Sequence, residues 1–529
     1  MQWDNLERVL QPLRANGKGG VPGIATRGSR SYRAGPGSER ANEAGVPTEQ
    51  RITGIAYDSR RVRPGYVFVA IPGHRQDGAA FIEDAVARGA AVIVAEMSAD
   101  TPRGIPCVRV SDAREALARV SNAFHDYPAR RLDVIGITGT NGKTSTAYMI
   151  KAILARAGRA PGLISSVAYE MGERSIPAVR TTPEAPDLHA MMDQMLEAGC
   201  RSAVMEVSSH ALHQKRVAGI DFSAGVFTNL TRDHLEYHGS MEQYAAAKAK
   251  LFTALGPGAR AVLNMDDPTG RWLAGLADLR ADVITYGTAE GAMVRAADIQ
   301  LGAMGSHGTV HSPWGTGRIR LCVPGRYNVS NALAALAACG AMGIDLRMMT
   351  DALAGVTAVR GRMEPVPNNR GLRVFVDYAH TDDALVNVLE MIREITPGRV
   401  LLVFGCGGDR DRGKRPKMGA VAARGADHVF VTSDNPRGED PESILRDIVS
   451  GFEGRSNYTE IVDRESAIAE ALKTARPDDT VLIAGKGHEN YQEFSHTIVP
   501  FDDVEVARRI MDEMSVRAPG RGQTERQGE

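Results

Sequence analysis

The run Thr138-Gly139-Thr140-Asn141-Gly142-Lys143-Thr144-Ser145 has the residues to hold a phosphate chain. Glycines let the backbone curl, so that several N–H groups can face one anion at a helix N-terminus. Lys143 adds a cation for the β- and γ-phosphates, and Thr144 offers a hydroxyl to a magnesium ion. The strict P-loop spacing puts glycine at position 137, where this chain has Ile137; Gly136 and Gly139 supply flexibility nearby. Glu206 closes the apolar run Ser202-Ala203-Val204-Met205, and Ser208-Ser209-His210 follows it. A carboxylate at the end of a strand beside a phosphate loop suits Mg²⁺. His210, His213, His234 and His238 lie close together in sequence. The HExxH spacing is absent and no cysteine joins them, which argues against a zinc hydrolase. One of these histidines helping to hold Mg²⁺ or to order phosphate agrees better with the phosphate loop. Lys248, in Tyr244-Ala245-Ala246-Ala247-Lys248, reads from composition as a solvated helix lysine, because Mg²⁺ wants oxygen and an ammonium offers none.

A second group of candidates ends three further apolar runs. These are Gly405-Cys406-Gly407-Gly408-Asp409-Arg410, Asp434-Asn435-Pro436-Arg437 and Gly485-Lys486-Gly487-His488-Glu489. Charged, glycine-rich loops at the ends of consecutive strands build a binding crevice. Arginine can grip a carboxylate through two parallel hydrogen bonds, so Arg410 and Arg437 suggest a substrate that carries carboxylates.

The elements that must position these residues follow from the apolar pattern. Val134-Ile135-Gly136-Ile137 reads as a strand and Ala147 to Leu154 as the helix after the phosphate loop. Strands at 202–207, 225–228 and 260–264 alternate with helices, which predicts a parallel, doubly wound sheet. Upstream, a short amphipathic helix at 3–13 precedes strands at 67–71 and 91–94, with a helix at 80–88 between them. Downstream, strands at 373–376, 400–404, 428–431 and 480–483 form another Rossmann-like α/β unit. The expected division is 1–129, 130–361 and 362–529. Residues 15–49 are rich in Gly, Arg, Ser, Ala and Pro, and are expected to be an insertion dispensable for catalysis. Residues from about 516 are expected to be a frayed tail.

Lysine plus arginine total 63 and aspartate plus glutamate 64, a net charge of −1 in 529 residues. That balance gives no reason to expect a nucleic-acid partner. The five cysteines form no CxxC pair, as expected of reduced thiols in the cytoplasm. No apolar run approaches a membrane span, and Met1-Gln2-Trp3-Asp4 does not open a secretory signal. A cytoplasmic monomer with small-molecule partners is the expectation.

Together these motifs resemble the Mur ligases of peptidoglycan synthesis, from about Ile52 to Phe501. The resemblance rests on Asp58-Ser59-Arg60, the phosphate loop, Thr181-Thr182-Pro183, Met205-Glu206-Val207-Ser208-Ser209-His210, Asp233-His234-Leu235 and Tyr244 to Lys248. It continues through Gly325-Arg326-Tyr327-Asn328, Gly361-Arg362-Met363-Glu364, Asp377-Tyr378-Ala379-His380 and Gly485 to Glu489. It implies a uridine-binding, an ATP-binding and an amino-acid-binding domain, with ATP as co-substrate and Mg²⁺ as cofactor. The implied reaction is amide formation on UDP-N-acetylmuramoyl-L-alanyl-D-glutamate through an acyl phosphate. Asp434 to Arg437 resembles the loop of the member that adds meso-diaminopimelate; lysine-adding relatives differ there. Carried over by position, Tyr57, Ser59, His74, Arg75 and Gln76 would face the uridine nucleotide. Thr181, Thr182, Ser208, Gln214 and Arg216 would hold the muramoyl peptide. Gly139 to Ser145, Asn331, Arg362 and Asp377 would touch ATP. Thr144, Glu206, His234 and Lys248 would serve the metals, Lys248 as a carbamate formed with CO₂. Arg410, Asp434, Asn435, Pro436, Arg437, Gly485 and Glu489 would hold diaminopimelate, with Arg437 left unpaired by lysine. Two positions depart from the family pattern: Arg180 before Thr181, and Asp382 where proline is usual. The alternatives are a lysine-adding sister, folylpolyglutamate synthase, and a non-catalytic nucleotide switch.

Overall fold

The computed structural model describes residues 1–14, 51–73, 76–96, 102, 105–302, 305–495 and 497–516. The expectations for 15–49, for His74 and Arg75 and for the stretch after 516 fall on residues outside these ranges. The N-terminal unit is a four-stranded sheet of Gly54–Ala56, Tyr66–Val69, Ala90–Glu96 and Cys107–Val110, parallel throughout. The first helix is α-helical over Trp3–Leu10 and tightens to a 3₁₀ turn at Gln11–Leu13, where Pro12 enters the backbone. Leu6, Leu10 and Leu13 pack on Val67, Val92 and Val108. The expected helix at 80–88 is split. Asp77 caps a 3₁₀ turn at Gly78–Phe81, and the α-helix runs only over Ile82–Ala87.

The central sheet has eleven strands. In spatial order they are Gly315–Leu321, Gly305–Ser312, Val294–Gly302, Asp282–Gly287, Arg260–Asn264, Ala224–Phe227, Asp133–Thr138, Ser202–Glu206, Pro161–Ile164, Ala168–Met171 and Arg174–Pro177. It is parallel from Val294–Gly302 to Pro161–Ile164 and antiparallel at both edges, where the sequence predicted a parallel sheet only. Antiparallel strands need only a tight turn, so the edges grow by hairpins that leave little helical signal between them. Alternate residues of the parallel strands face opposite cores. Ile135, Ile137 and Val204 meet the helices Lys143–Arg156 and Arg326–Gly340 on one side, whereas Val134, Met205 and Phe227 meet Ala185–Glu197 and Met241–Thr253 on the other. Burial on both faces explains why these strands read as continuous apolar runs.

The C-terminal sheet runs Glu364–Pro365, Arg373–Asp377, Thr480–Ala484, Val400–Phe404, His428–Val431 and Tyr458–Glu460, parallel except for the first strand. A separate hairpin, Tyr491–Phe494 with Thr497–Pro500, and the helix Asp503–Val516 complete it. Among the described residues, no helix is long and apolar enough to cross a membrane.

Candidate active site

The phosphate loop joins Asp133–Thr138 to Lys143–Arg156. Gly142 opens that helix at φ +83°, and a Cβ there would lie 2.3 Å from the Asn331 side-chain oxygen. Glycine is therefore required both by the backbone and by the approach of Asn331. Two of the loop amides expected to face an anion are already used. Thr140 N–H donates to the Asn229 carbonyl at 2.8 Å and Asn141 N–H to the Asn229 side chain at 2.9 Å. What remains for phosphate is the helix's first turn, where the N–H groups of Lys143, Thr144 and buried Ser145 have no intrahelical acceptor. Lys143 Nζ folds back to donate to the carbonyls of Gly139 (3.0 Å) and Thr140 (2.7 Å). Burial lowers its pKa, and the charges of Glu206 and Asp233 oppose that shift.

Glu206 ends its strand beside this loop and accepts from Ser166 N–H (2.8 Å) and Ser166 Oγ (3.2 Å). Ser166 in turn lies 3.0 Å from Thr144 Oγ1. Thr144, Ser166 and Glu206 thus form an all-oxygen cluster against the phosphate loop, a donor set that fits Mg²⁺. Among the described residues no group of three His, Cys, Asp or Glu side chains is arranged to hold a metal by itself. Mg²⁺ bound by one or two protein oxygens, with phosphate oxygens completing the shell, asks for no such group.

His234, at φ +54°, lies next to Asp233 and within reach of the Lys143 charge. The four neighbouring histidines do converge, but as packed rings. His210 lies 4.7 Å from His234 and 5.6 Å from His238, and His238 Nε2 is 3.0 Å from Ser209 Oγ. Burial and the neighbouring histidines hold His210 and His238 down to about 4.

Lys248 is the clearest departure from what composition suggests. It is 1 % exposed, on the inner face of its helix, with Nζ 2.7 Å from the Gly139 carbonyl and 4.3 Å from the Tyr244 ring centre. Burial, aided by the nearby Lys143 charge, pushes its pKa well below the usual lysine value.

Side chains from the C-terminal unit reach this loop. Arg362 Nη2 donates to Thr144 Oγ1 at 3.2 Å, its guanidinium stacks 4.6 Å from the Tyr378 ring, and its buried Nε has no partner among the described residues. Asp377 lies behind it. Its two oxygens accept from Met363 N–H (2.7 Å) and Ala379 N–H (2.9 Å), and burial raises its pKa. This carboxylate, expected to touch ATP, is thus already engaged in shaping the turn that presents Arg362. Asp383, which the sequence reading passed over, accepts from Asn141 Nδ2 (3.0 Å) and Thr231 Oγ1 (2.7 Å). Asp382, in the place of the usual proline, opens the helix Asp382–Ile395 behind the Thr381 cap. Asp383→Ala should lower kcat/KM for ATP by roughly tenfold or more, since a hydrogen bond to a charged group contributes about 1.5–3 kcal/mol. Steady-state ADP release checks this, and an unchanged kcat/KM would remove the bridge from the catalytic cycle.

Residues expected to hold the muramoyl peptide also come together. Thr182 Oγ1 donates to the Glu206 carbonyl and accepts from Ser208 N–H. Arg216 donates to the Thr182 carbonyl (2.8 Å) and Gln214 Oε1 (2.7 Å) and pairs with Glu184 (3.0 Å). Thr181 is half-buried beside them. Arg180 also turns to Glu184, and so is occupied within the protein. Tyr57 faces Glu184 and Asp187 from the N-terminal unit; burial first and these carboxylates second raise its pKa. Ser59 is buried against Asp84, while Gln76 is exposed.

The three C-terminal loops meet Asp233 and His234 across one cleft of about 710 Å³ that includes Arg410, Asp434, Asn435, Arg437, Gly485 and Glu489. Gly485 has φ +113°, and a Cβ there would fall 2.8 Å from Asp434 Oδ2. Pro436 turns the chain so that its carbonyl backs onto Gly408. Asn435 Nδ2 donates to Glu489 Oε2 at 2.8 Å, and buried Lys486 sits 3.2 Å from Asn435 Oδ1 and 3.3 Å from Glu489. Burial raises the pKa of Glu489, and Lys486 opposes it. Arg437, at φ +51°, donates Nε to Glu493 (2.8 Å) and Nη1 to the Gly408 carbonyl (2.9 Å). A substrate lacking a far carboxylate would therefore not leave Arg437 unpaired, contrary to the expectation from sequence. Glu493 sits on a short hairpin whose strands carry no motif, and only its spatial return reveals it. Arg410 lines the cleft, and its Nη1 donates to the carbonyl of its neighbour Asp409 at 3.3 Å.

The Mur ligase catalytic-domain description matches residues 51–125, the Mur ligase middle domain 137–339, and the Mur ligase glutamate ligase domain 361–487. The chain belongs to the Mur ligase family. A 2,6-diaminopimelate ligase of UDP-N-acetylmuramoyl-L-alanyl-D-glutamate from Geobacter metallireducens is 43% identical, over 90% of this Mur ligase and 98% of the relative. The enzyme of the same name from Geobacillus thermodenitrificans is 46% identical, over 87% and 95%. A solved structure with that enzyme name superimposes with a TM-score of 0.63 at 34% identity, covering 89% of this chain and 96% of the other. A MurF ligase from Thermotoga maritima in complex with ADP shares the three-domain fold, with a TM-score of 0.58 at 20% identity.

Proposed function

We propose that this Mur ligase uses ATP to join meso-diaminopimelate to the D-glutamate of UDP-N-acetylmuramoyl-L-alanyl-D-glutamate, in the cytoplasm. The observation that carries the reading is the single cleft in which Asp233 and His234, beside the phosphate loop, face Arg410, Asp434, Asn435, Arg437 and Glu489. An acid activated on one wall can meet an amine held by the other. The relatives with 2,6-diaminopimelate in their names support the choice of amino acid.

In this reading the units 1–129, 130–361 and 362–529 bind the uridine nucleotide, ATP and the amino acid. Tyr57, Ser59 and Gln76 face the nucleotide. Thr181, Thr182, Ser208, Gln214 and Arg216 orient the muramoyl peptide. Its γ-carboxylate oxygen attacks the ATP γ-phosphorus, ADP leaves, and an acyl phosphate forms. The neutral diaminopimelate amine then attacks the acyl carbon, the carbon–oxygen bond breaks, and phosphate departs as the amine loses its proton. Lys143 and the free Nε of Arg362 offset phosphate charge, so that two anions can approach. Thr144, Glu206, His234 and a carbamylated Lys248 would hold two Mg²⁺ ions, with one or two protein ligands to each, and the ions would supply further charge neutralisation when bound. Asn435 and Glu489 receive the far ammonium, and Arg410 and Arg437 the carboxylates.

The test is to supply ATP, Mg²⁺ and the UDP-dipeptide with meso-diaminopimelate or L-lysine, and to weigh the product. The expected result is ADP release that needs both the dipeptide and diaminopimelate, with a product heavier by one diaminopimelate residue. Product formed as readily from lysine would overturn the choice of amino acid. ADP release that ignores the UDP-dipeptide would overturn the ligase reading.

A further inference from the structure

Arg464 begins the helix Arg464–Thr474, is fully buried, and belongs to no sequence motif. Its guanidinium is used on every side. Nε donates to Asp503 Oδ1 at 2.8 Å and Nη2 to Asp503 Oδ2 at 2.7 Å, a fork-to-fork pair in which neither side chain is exposed. Nη1 donates to the Ser433 carbonyl at 3.3 Å, and Nη2 also donates to the Ala484 carbonyl at 3.1 Å. Ser433 is the residue before Asp434, and Ala484 the residue before Gly485. The pair therefore grips both amino-acid loops at their roots.

Sheet hydrogen bonds link the two roots only indirectly. The strands His428–Val431 and Thr480–Ala484 are not neighbours; Val400–Phe404 lies between them. The ladder spaces these two strands only through that intervening strand and ends at Val431 and Ala484, whereas Asn435 and Glu489 keep a 2.8 Å contact beyond the strand ends. A planar guanidinium with five donors can bridge two carbonyls and a carboxylate at once, which a lysine cannot. A buried ion pair is by itself a weak source of stability, because desolvation offsets its attraction. Its position at the two loop roots is what calls for a functional account.

We propose that the Arg464–Asp503 pair is a positioning clamp for the amino-acid pocket, setting the spacing between the Asp434–Arg437 loop and the Gly485–Glu489 loop. Resting on the reading that these loops hold the amino acid, it makes Arg464 a specificity-supporting residue that touches no substrate. It also makes the last helix, Asp503–Val516, part of the pocket's frame.

The decisive variant is the full-length double substitution Arg464→Met with Asp503→Leu, which removes both charges and strands neither. Two measurements are made. Amide hydrogen exchange over 433–437 and 485–489 is expected to quicken at least tenfold while the strand Val400–Phe404 stays protected. The KM for diaminopimelate is expected to rise about tenfold, with KM for ATP and for the UDP-dipeptide within twofold. A folded double variant with unchanged exchange in both loops, or with all three KM values moved alike, would overturn the clamp. Should that variant not fold, Arg464→Lys keeps the charge facing Asp503 but loses the second arm, and should raise the same KM about threefold; no selective rise would overturn it equally. If the wild-type protein does not use diaminopimelate, the proposed substrate fails. The exchange measurement still decides the clamp.

Discussion

Lys248→Ala should lose turnover by about 10²–10³-fold, the scale seen when one element of charge stabilisation is deleted from a closed site. The fold should survive. Alanine is a strong helix former, and the change removes an amine that burial already disfavours in its charged form. Lys248 lies against the Gly139 carbonyl and the face of Tyr244, and among the described residues no carboxylate ion-pairs with it. A neutral amine in such a place can attack CO₂: a nitrogen–carbon bond forms, a proton leaves, and the product offers carboxylate oxygens in place of an ammonium. Acetate or formate should restore part of the activity of Lys248→Ala by occupying the space left. Labelled bicarbonate should give a carbamate carbon signal in the wild type and none in the variant. Full activity in Lys248→Ala, or an unmodified ammonium in an actively turning-over enzyme, would sink the idea.

Arg437→Ala should raise the KM for diaminopimelate by roughly 10²-fold, the range expected for losing a paired, charge-assisted contact in a closed pocket. The KM for the UDP-dipeptide should stay put. Glu493 tempers the accompanying claim about lysine. Rejection of a substrate that lacks a polar group approaches ~10⁴-fold only when the site's own group is left bare. Here Glu493 and the Gly408 carbonyl already satisfy two of the guanidinium's donors. Discrimination by the wild type should therefore fall nearer ~10²–10³, and Arg437→Ala should narrow it further. Competition between diaminopimelate and lysine, read by product mass, checks both statements; full discrimination in Arg437→Ala would reassign the loop.

Legibility in the sequence tracked the range of the interaction. The strand before Gly139, the strand ending in Glu206 and the three loops after apolar runs were readable because each is a local pattern. The resemblance to Mur ligases then brought Lys248 from a solvated helix to the phosphate loop, which periodicity alone had not done. Ser166, Asp383, Glu493 and Arg464 stayed silent. Each acts by a hydrogen bond to a residue far along the chain, and none sits in a run whose composition marks it. Arg464 even resembles an ordinary surface arginine until the chain returns with Asp503. The antiparallel sheet edges were missed for a related reason: hairpins lack the strand–helix alternation that announces parallel order.

The opening helix has a consequence for how this chain can vary. Met1 donates to the Ile52 carbonyl, Gln2 pairs with Arg51, and Arg14 pairs with Val110. Arg14 is thus tied to a strand of the N-terminal sheet, Arg51 and Ile52 are tied to the first two residues, and Thr53 N–H donates to the Gly65 carbonyl. Closing a chain segment between fixed points costs free energy that grows only with the logarithm of its length, about 0.6 kcal/mol per doubling. A reporter inserted between Arg14 and Arg51 is therefore expected to leave turnover within about twofold, read as ADP release; a folded insertion variant without activity would show that these anchors are not enough.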